Sequence, residues 1–600
     1  MKPTTTILDR IKTNSRNNKE EIFTRLYRYM LRPDLYYIAY KNLYANKGAG
    51  TKGVDDDTAD GFSIEKVEKI IQSLSDETYT PKPVRREYIQ KKGNSKKKNT
   101  KKRQLGIPTF TDKLVQEVLR MILEAVYEPT FSRHSHGFRP SKNCHTALKS
   151  LKKEFTGVTW FIEGDIKACF DSIDHQTLVG IVSSKIKDAR LIKLLWKFLK
   201  AGYMENWRYH STHSGCPQGG IASPILSNIY LNELDKFAEN TAKEFCKPRN
   251  RVNTPEYDKI SGAMAKTKKQ IKTAVGYEKT ELLKQLKTMK AQKRKTPARS
   301  NTDKVLKYIR YADDFIIGIK GDKGDCERIK QMFSDFISQS LKMELSDEKT
   351  LITHSNQYAR FLGYDVRVRR DNTVKPKGNH KQRTLNNKVE LNIPLADKIM
   401  PFLFDKKIIG QEKDGKIEPI ARRYLYRCTN LEIVSTFNSE LRGICNYYGI
   451  ASNFNKLNYF AYLIECSCLK TLAGKHKSTS SKIIDKFQDG KGNWSIPYNT
   501  TKGDKRCGFA EYTDCKNSNT FSDIIVEHAI RHTSNRTTFD ERLSAEICEL
   551  CGKTGVPLEI HHVNKVKNLK GKQHWEIVMI AKKRKTLAVC KGCHHKIHHP

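Results

Sequence analysis

A multidomain protein of mixed α and β structure is the fold class that three observations in the sequence predict. The chain has 600 residues, 38% of them hydrophobic, enough for several domains at about 150 residues each. Apolar residues follow helical spacing in some stretches and strict alternation in others. Lys and Arg number 110 against 66 Asp and Glu, a formal net charge of +44, so a folded chain needs an anionic partner, and polyphosphate backbones are the usual one.

Taken in order, Thr111-Asp112 offers an N-cap ahead of Leu114, Val115, Val118, Leu119, Ile122 and Val126, which share a helix face. Leu362 to Arg369 alternates apolar and polar residues as a half-buried strand does, and Asp371-Asn372 then supplies a turn. From Ile433 onward, Phe437, Leu441, Ile444 and Tyr448 recur every three to four residues, as in a helix. Three stretches read as loops or insertions: the basic run 91–103, the Lys-rich block 241–307 with helical stretches but little core-forming sequence, and 485–520, rich in Gly, Asn, Thr, Asp and Lys. No run of about 18 apolar residues exists and Met1 to Thr6 lacks an apolar leader. The expectation is a cytoplasmic protein without a membrane partner. Fifteen cysteines, an odd number, fit reduced thiols.

The sharpest local feature is Tyr308-Ile-Arg-Tyr-Ala-Asp-Asp-Phe-Ile-Ile317, two adjacent carboxylates between short β-forming runs. Taken alone it is also an ordinary hairpin turn. A second run, Trp160-Phe-Ile-Glu-Gly-Asp165, ends in another acid. Crowded carboxylates need a cationic neighbour, and a pair of Mg2+ ions about 4 Å apart takes such acids together with substrate phosphates. Asp165, Asp313 and Asp314 are the candidate trio.

The ordered set of motifs resembles reverse transcriptases, and specifically the proteins encoded by bacterial group II introns of the mitochondrial-like class. It comprises Arg103-Gln-Leu-Gly-Ile-Pro-Thr109, His136-Gly-Phe-Arg-Pro140, Gly164-Asp-Ile-Lys-Ala-Cys-Phe-Asp171, Gly215-Cys-Pro-Gln-Gly-Gly-Ile-Ala-Ser-Pro224, Tyr311-Ala-Asp-Asp314, Lys349 and Phe361-Leu-Gly-Tyr364. The resemblance implies a right-hand polymerase: an N-terminal extension over 1–80, fingers and palm over 81–375 with 241–307 as an insertion, and a helical thumb with the maturase role over 376–480. A DNA-binding segment over 481–545 and a nuclease over 546–600 follow. Asp165, Asp313 and Asp314 would bind two Mg2+ ions, and Lys101 and Arg103 would grip the triphosphate. Gln218 would approach the nucleotide, Lys349 the leaving phosphate, and Phe170 would be the steric gate that excludes a 2′-hydroxyl. Gln104 stands where the family has proline. Phe170 and Tyr448 also read as core aromatics. In Arg442-Gly-Ile-Cys-Asn-Tyr-Tyr-Gly449, Arg442 and Tyr447 are candidate RNA contacts, Arg for phosphate and Tyr for stacking.

At the C-terminus, Cys548-x2-Cys551 and Cys590-x2-Cys593 lie 38 residues apart, a strong signal for a structural tetrahedral Zn2+ site. His594 and His598, spaced i, i+4, face one way on a helix. With His561-His562 they resemble an HNH nuclease of ββα-metal type. That likeness implies His562 as general base and His561, His594 and His598 as ligands of one further Mg2+-type ion. The implied partners are a group II intron RNA in a ribonucleoprotein, target DNA and dNTPs, with a homodimer left open and nucleoid association during DNA work. Target-primed reverse transcription would join polymerase and nuclease. The competing expectation is a reverse transcriptase without splicing function whose zinc domain only binds DNA.

Overall fold

The computed structural model describes residues 4–46, 48–90, 102–247, 253–296, 298, 303–371, 373–378, 380–383, 386–411, 414–489, 493–500, 503–515 and 539–599. Lys101, most of the basic run 91–103 and Asn372 of the expected turn lie outside them.

The palm is a four-stranded antiparallel sheet with Val305–Tyr311 at one edge, then Asp314–Lys320, Trp160–Asp165 and Ile352–His354. These strands form because Phe161, Ile162, Ile309, Ile316 and Ile317 are at most 1% exposed, with β-branched and aromatic side chains filling both faces. Gly164 is required here, since a Cβ at this position would lie 2.1 Å from the Phe315 ring. The fingers carry a second sheet, ordered Lys102–Ile107, Val84–Gln90, Tyr203–Glu205 and Arg208–His210.

Helix Phe110–Tyr127 runs through the centre of the molecule with most of its side chains buried. Its cap is Thr109, which accepts from the Asp112 N–H, not Thr111-Asp112 as the sequence suggested. Asp112 is instead occupied by the Tyr79 and Thr109 hydroxyls, at 2.5 and 2.7 Å. The N-terminal helices Thr4–Asn17 and Pro33–Leu43 pack on this helix. The expected extension therefore shares one continuous core with the palm and the C-terminal unit.

The Lys-rich block forms two long helices, Pro255–Thr273 and Tyr277–Lys295, packed on each other with only Met264 and Leu286 among their buried apolar residues. The expected thumb begins with strands: Val389–Asn392 pairs with Tyr364–Val368 of the palm side. Helices Asn430–Tyr447 and Leu457–Lys475 follow. Residues 495–508, expected as linker, form the hairpin Ser495–Thr500 and Gly503–Gly508. Trp494 and Ile496, 6% and 3% exposed, anchor it in the thumb core, a burial that composition alone hid. The C-terminal unit pairs Leu558–His562 with Thr586–Cys590 and ends in helix Lys591–His598.

Below the Ala312-Asp313 turn, Arg310 is 0% exposed and forms an ion pair at 2.6 Å with Asp235, also 0% exposed. Its guanidinium also donates to Ser135 Oγ at 2.9 Å and to the Ala312 carbonyl at 2.9 Å. Removing one partner of a buried pair strands the other charge. Arg310→Leu is expected to destabilise the protein by about 3–5 kcal/mol, read as a lowered denaturant midpoint of the first unfolding transition. An unchanged midpoint would refute this assignment.

Candidate catalytic and metal sites

The palm register sets Asp165 directly opposite Asp314, and Tyr311 pairs with Asp314 from the other side. Asp313 stands in the turn between those two strands. Ala312 adopts a left-handed φ of 56° there, and Gly137 permits the close approach, because a Cβ on it would lie 2.3 Å from the Ala312 nitrogen. Backbone bonds from His136 N to the Arg310 carbonyl and from Arg310 N to the His134 carbonyl, each 2.9 Å, clamp the same hairpin. The three predicted acids therefore converge.

Their crowding has an electrostatic signature. Burial and then the neighbouring Asp313 and Asp165 push the Asp314 carboxyl up to about 7. Burial also raises Asp313, against the opposing fields of Arg103 and Lys349. Lys349 Nζ lies 2.6 Å from Asp165 Oδ2, and the Asp165 carbonyl accepts from Ser346 N, which fixes the segment carrying that lysine. An oxygen-rich cluster with surplus negative charge suits hard divalent cations.

Arg103 is exposed on the fingers strand Lys102–Ile107, opposite Ile89. The Gln218 carbonyl accepts from Gly106 N on that strand at 2.6 Å, which seats the Pro-Gln-Gly-Gly turn against the fingers. Phe170 is half-buried after the Asp165 strand, edge-on to Phe138 with ring centroids 6.2 Å apart. Its carbonyl accepts from Cys216 N at 2.7 Å, which links both motifs. Arg442 is exposed. Tyr447 is half-buried, its hydroxyl donates to the Leu362 carbonyl at 2.6 Å, and its own carbonyl accepts from Tyr364 and His145. These bonds hold helix Asn430–Tyr447 to the Phe361-to-Tyr364 strand pair.

At the C-terminus the four sulfurs of Cys548, Cys551, Cys590 and Cys593 lie within 4.8 Å of one another. Cys551 Sγ and Cys590 Sγ are 3.8 Å apart, matching the edge of a tetrahedron with bonds of about 2.3 Å. Burial opposes ionisation of Cys548, but backbone N–H groups of Cys551, Cys590 and Leu550 aimed at its sulfur bring it down to about 6. Burial and the neighbouring thiols push Cys593 the other way; four sulfurs so placed can hold a metal ion.

His561, His594 and His598 also come together, and a residue missed in the sequence joins them: Asp60, from the N-terminal segment. Burial would raise the Asp60 carboxyl, yet the imidazoles of His561 and His594 hold it far below the usual carboxylate range. His594 Nδ1 meets Glu559 Oε2 at 2.6 Å, the carboxylate support that metal-binding histidines commonly have. His562 points elsewhere. Its Nε2 lies 2.9 Å from the Tyr44 carbonyl, and burial lowers its pKa. Arg310 and Asp235 were likewise missed. A lone Asp in an acidic loop and a lone Arg in a strand give no periodic or spacing signal.

Comparison with known proteins gives three matches along the chain. Residues 89–253 match the family described as reverse transcriptase (RNA-dependent DNA polymerase). Residues 386–527 match type II intron maturase, and 548–594 match AI2M/AI1M-like HNH endonuclease. The chain is similar to the group II intron-encoded protein LtrA of Lactococcus lactis subsp. cremoris, 58% identical over the full length of both. An uncharacterized 91 kDa protein in the cob intron of Schizosaccharomyces pombe is 35% identical, over 98% of this chain and 72% of that one. The putative COX1/OXI3 intron 2 protein of Saccharomyces cerevisiae is 31% identical, over 98% and 68%.

The titration of Asp314 has a measurable consequence. Its folded value of about 7 lies above the ordinary 3.8, so its favourable contribution is complete below about pH 4 and lost as pH rises through 7. Without divalent ions, Asp314→Asn should melt about 2–4 °C above wild type at pH 8, the shift expected of roughly 1 kcal/mol. The gap should narrow at pH 5 and close below about pH 4, and Mg2+ should stabilise only the wild type. Parallel melting curves at both pH values would contradict the crowding.

Proposed function

Because this chain belongs to the group II intron-encoded proteins, with reverse transcriptase, maturase and HNH endonuclease domains, we propose that Asp165, Asp313 and Asp314 bind the two Mg2+ ions of RNA-directed DNA synthesis. The observation that carries this reading is the strand register pairing Asp165 with Asp314. The matched reverse transcriptase span ends at residue 253, so the second and third acids join the site through the sheet. When bound, the ions supply Lewis acidity at a primer 3′-hydroxyl and at a dNTP triphosphate.

The chain's own residues do the positioning. Arg103 reaches the triphosphate from the fingers strand, its guanidinium suited to bidentate phosphate contact; Lys101 extends the same grip. Lys349 exchanges its bond to Asp165 for the departing phosphate and donates from Nζ. Gln218 lies along the nucleotide, since its turn is seated on Gly106. Phe170, braced by Phe138, fills the space a ribose 2′-hydroxyl would need.

The thumb and fingers bind the intron RNA, whose own structure performs splicing, and exposed Arg442 contacts its phosphates. In the C-terminal unit the four cysteines hold a structural Zn2+, and His561, His594 and His598 hold the nuclease ion. With Nε2–H of His562 donated to the Tyr44 carbonyl, Nδ1 is the nitrogen that takes a proton from the attacking water. Nicking of target DNA then frees a 3′-hydroxyl that primes copying of the RNA. The segment 481–545 contacts that DNA, and the work takes place on the nucleoid of a bacterial cytoplasm.

Separation of function tests the assignment. Changing Asp313 and Asp314 together to Ala should lower primer extension by at least about 10³-fold, roughly 4 kcal/mol of barrier, while leaving protein-assisted splicing intact. His562→Ala should abolish second-strand nicking alone. Retained polymerisation by the double variant would refute the palm site.

The gate has its own readout. Phe170→Ala should raise ribonucleotide incorporation relative to deoxyribonucleotide by about 10-fold or more, the equivalent of 1.4 kcal/mol. Unchanged discrimination in single-nucleotide extension would remove Phe170 from that role.

A further inference from the structure

The N-terminal segment is built into the C-terminal nuclease unit. Strand Phe62–Ser63 adds antiparallel to Leu558–His562, pairing Phe62 with Ile560 and Ser63 with Glu559. Gly61 N donates to the Ile560 carbonyl at 3.0 Å. This addition aims the side chain of Asp60 into the histidine cluster, and the His562 N–H donates to Asp60 Oδ1 at 2.6 Å.

Four donor atoms then face one another. Asp60 Oδ1 is 3.3 Å from both His561 Nδ1 and His594 Nε2. His594 Nε2 and His598 Nε2 are 3.3 Å apart, and His598 Nε2 lies 2.7 Å from Asp60 Oδ2. Bonds of about 2.0–2.1 Å to imidazole and carboxylate give a tetrahedron whose edges are about 3.3–3.4 Å, so three of these four separations already suit a cation at the centre. His561 is only 3% exposed, and its Nδ1 faces the Asp60 carboxylate at 3.3 Å without a well-formed hydrogen bond among the described residues. A buried imidazole nitrogen so placed suits a shared cation. Glu559 holds the far nitrogen of His594, leaving Nε2 for the centre.

We propose that Asp60 supplies the fourth donor to a divalent-cation site formed with His561, His594 and His598, and that this donation holds the nuclease shut until a scissile phosphate takes its place. The proposal rests on the nuclease reading above. A catalytic ion must keep a position for substrate, and among the described residues Asp60 takes the one beside the three histidines. A phosphodiester oxygen is a hard anionic donor like the Asp60 carboxylate, so the two compete for one position. The strand pairing is two residues long, and the segment also meets the unit through Glu65 on Lys591 and the Tyr44 carbonyl on His562. Release of Asp60 would open the ion to DNA and leave the three histidines in place.

The test uses the full chain with Mn2+, which prefers nitrogen and oxygen donors to thiolates. Hydrogen exchange is followed in peptides covering 58–65 and 556–563, alongside nicking of duplex DNA. In the wild type Mn2+ should slow exchange in both peptides. In Asp60→Asn that response should need at least about tenfold more Mn2+, while nicking by the free protein rises severalfold. An identical Mn2+ response in Asp60→Asn would overturn the donor assignment. A weakened response with reduced nicking would overturn the latch, making Asp60 part of the working site. His562→Ala separates the two readings: it should abolish nicking yet keep the exchange response. An exchange response with no nicking in either the wild type or Asp60→Asn would count against the nuclease reading and not against the four-donor site.

Discussion

Three carboxylates gathered at one end of a sheet repel one another, and the palm exists to hold them there. The buried Arg310–Asp235 pair is the means. Arg310 neutralises Asp235, reaches the carbonyl of Ala312 and ties the turn to Ser135. The ionised acids oppose this arrangement, as the upward shift of Asp314 shows. The scaffold stores that repulsion, and divalent cations relieve it. Lys349 offsets part of it from the side, near enough to Asp165 to leave for a phosphate without moving the backbone.

The same logic organises the surrounding motifs. Gly137 and Gly164 have no side chain because the Ala312 backbone and the Phe315 ring occupy the space. The Pro-Gln-Gly-Gly turn is bonded on one side to Gly106 of the fingers and on the other to the Phe170 carbonyl. Strand Lys102–Ile107, the turn and Phe170 are thereby joined by hydrogen bonds, which suits a site where a misplacement of about 1 Å matters.

At the other end of the chain, residues roughly 500 positions apart in sequence share a strand pair and a four-donor cluster. The N-terminal helices pack on the central Phe110–Tyr127 helix, so the polymerase core and the nuclease unit are mechanically connected through residues 59–63.

Much of this was legible in the linear sequence. Local order carries the paired acids, the Asp165 strand, the cysteine pairs and the helical thumb, because each needs particular residue types at short spacing. The ordered motifs identified the family, and the comparisons agree. What the sequence could not reveal depends on long-range pairing. The thumb hairpin at 495–508 lies in a stretch whose polar composition masks the burial of Trp494 and Ile496. The bond from the Tyr447 hydroxyl to the Leu362 carbonyl spans 85 residues and leaves no local signal. Arg310, Asp235 and Asp60 are single charged residues with no periodicity, and their meaning comes only from the partner that folding places beside them. Residue chemistry and spacing determined which reactions this chain is equipped for. Tertiary structure alone decided which charges are buried, which are paired and which face a cation, because those follow from sheet register and core packing across distant segments.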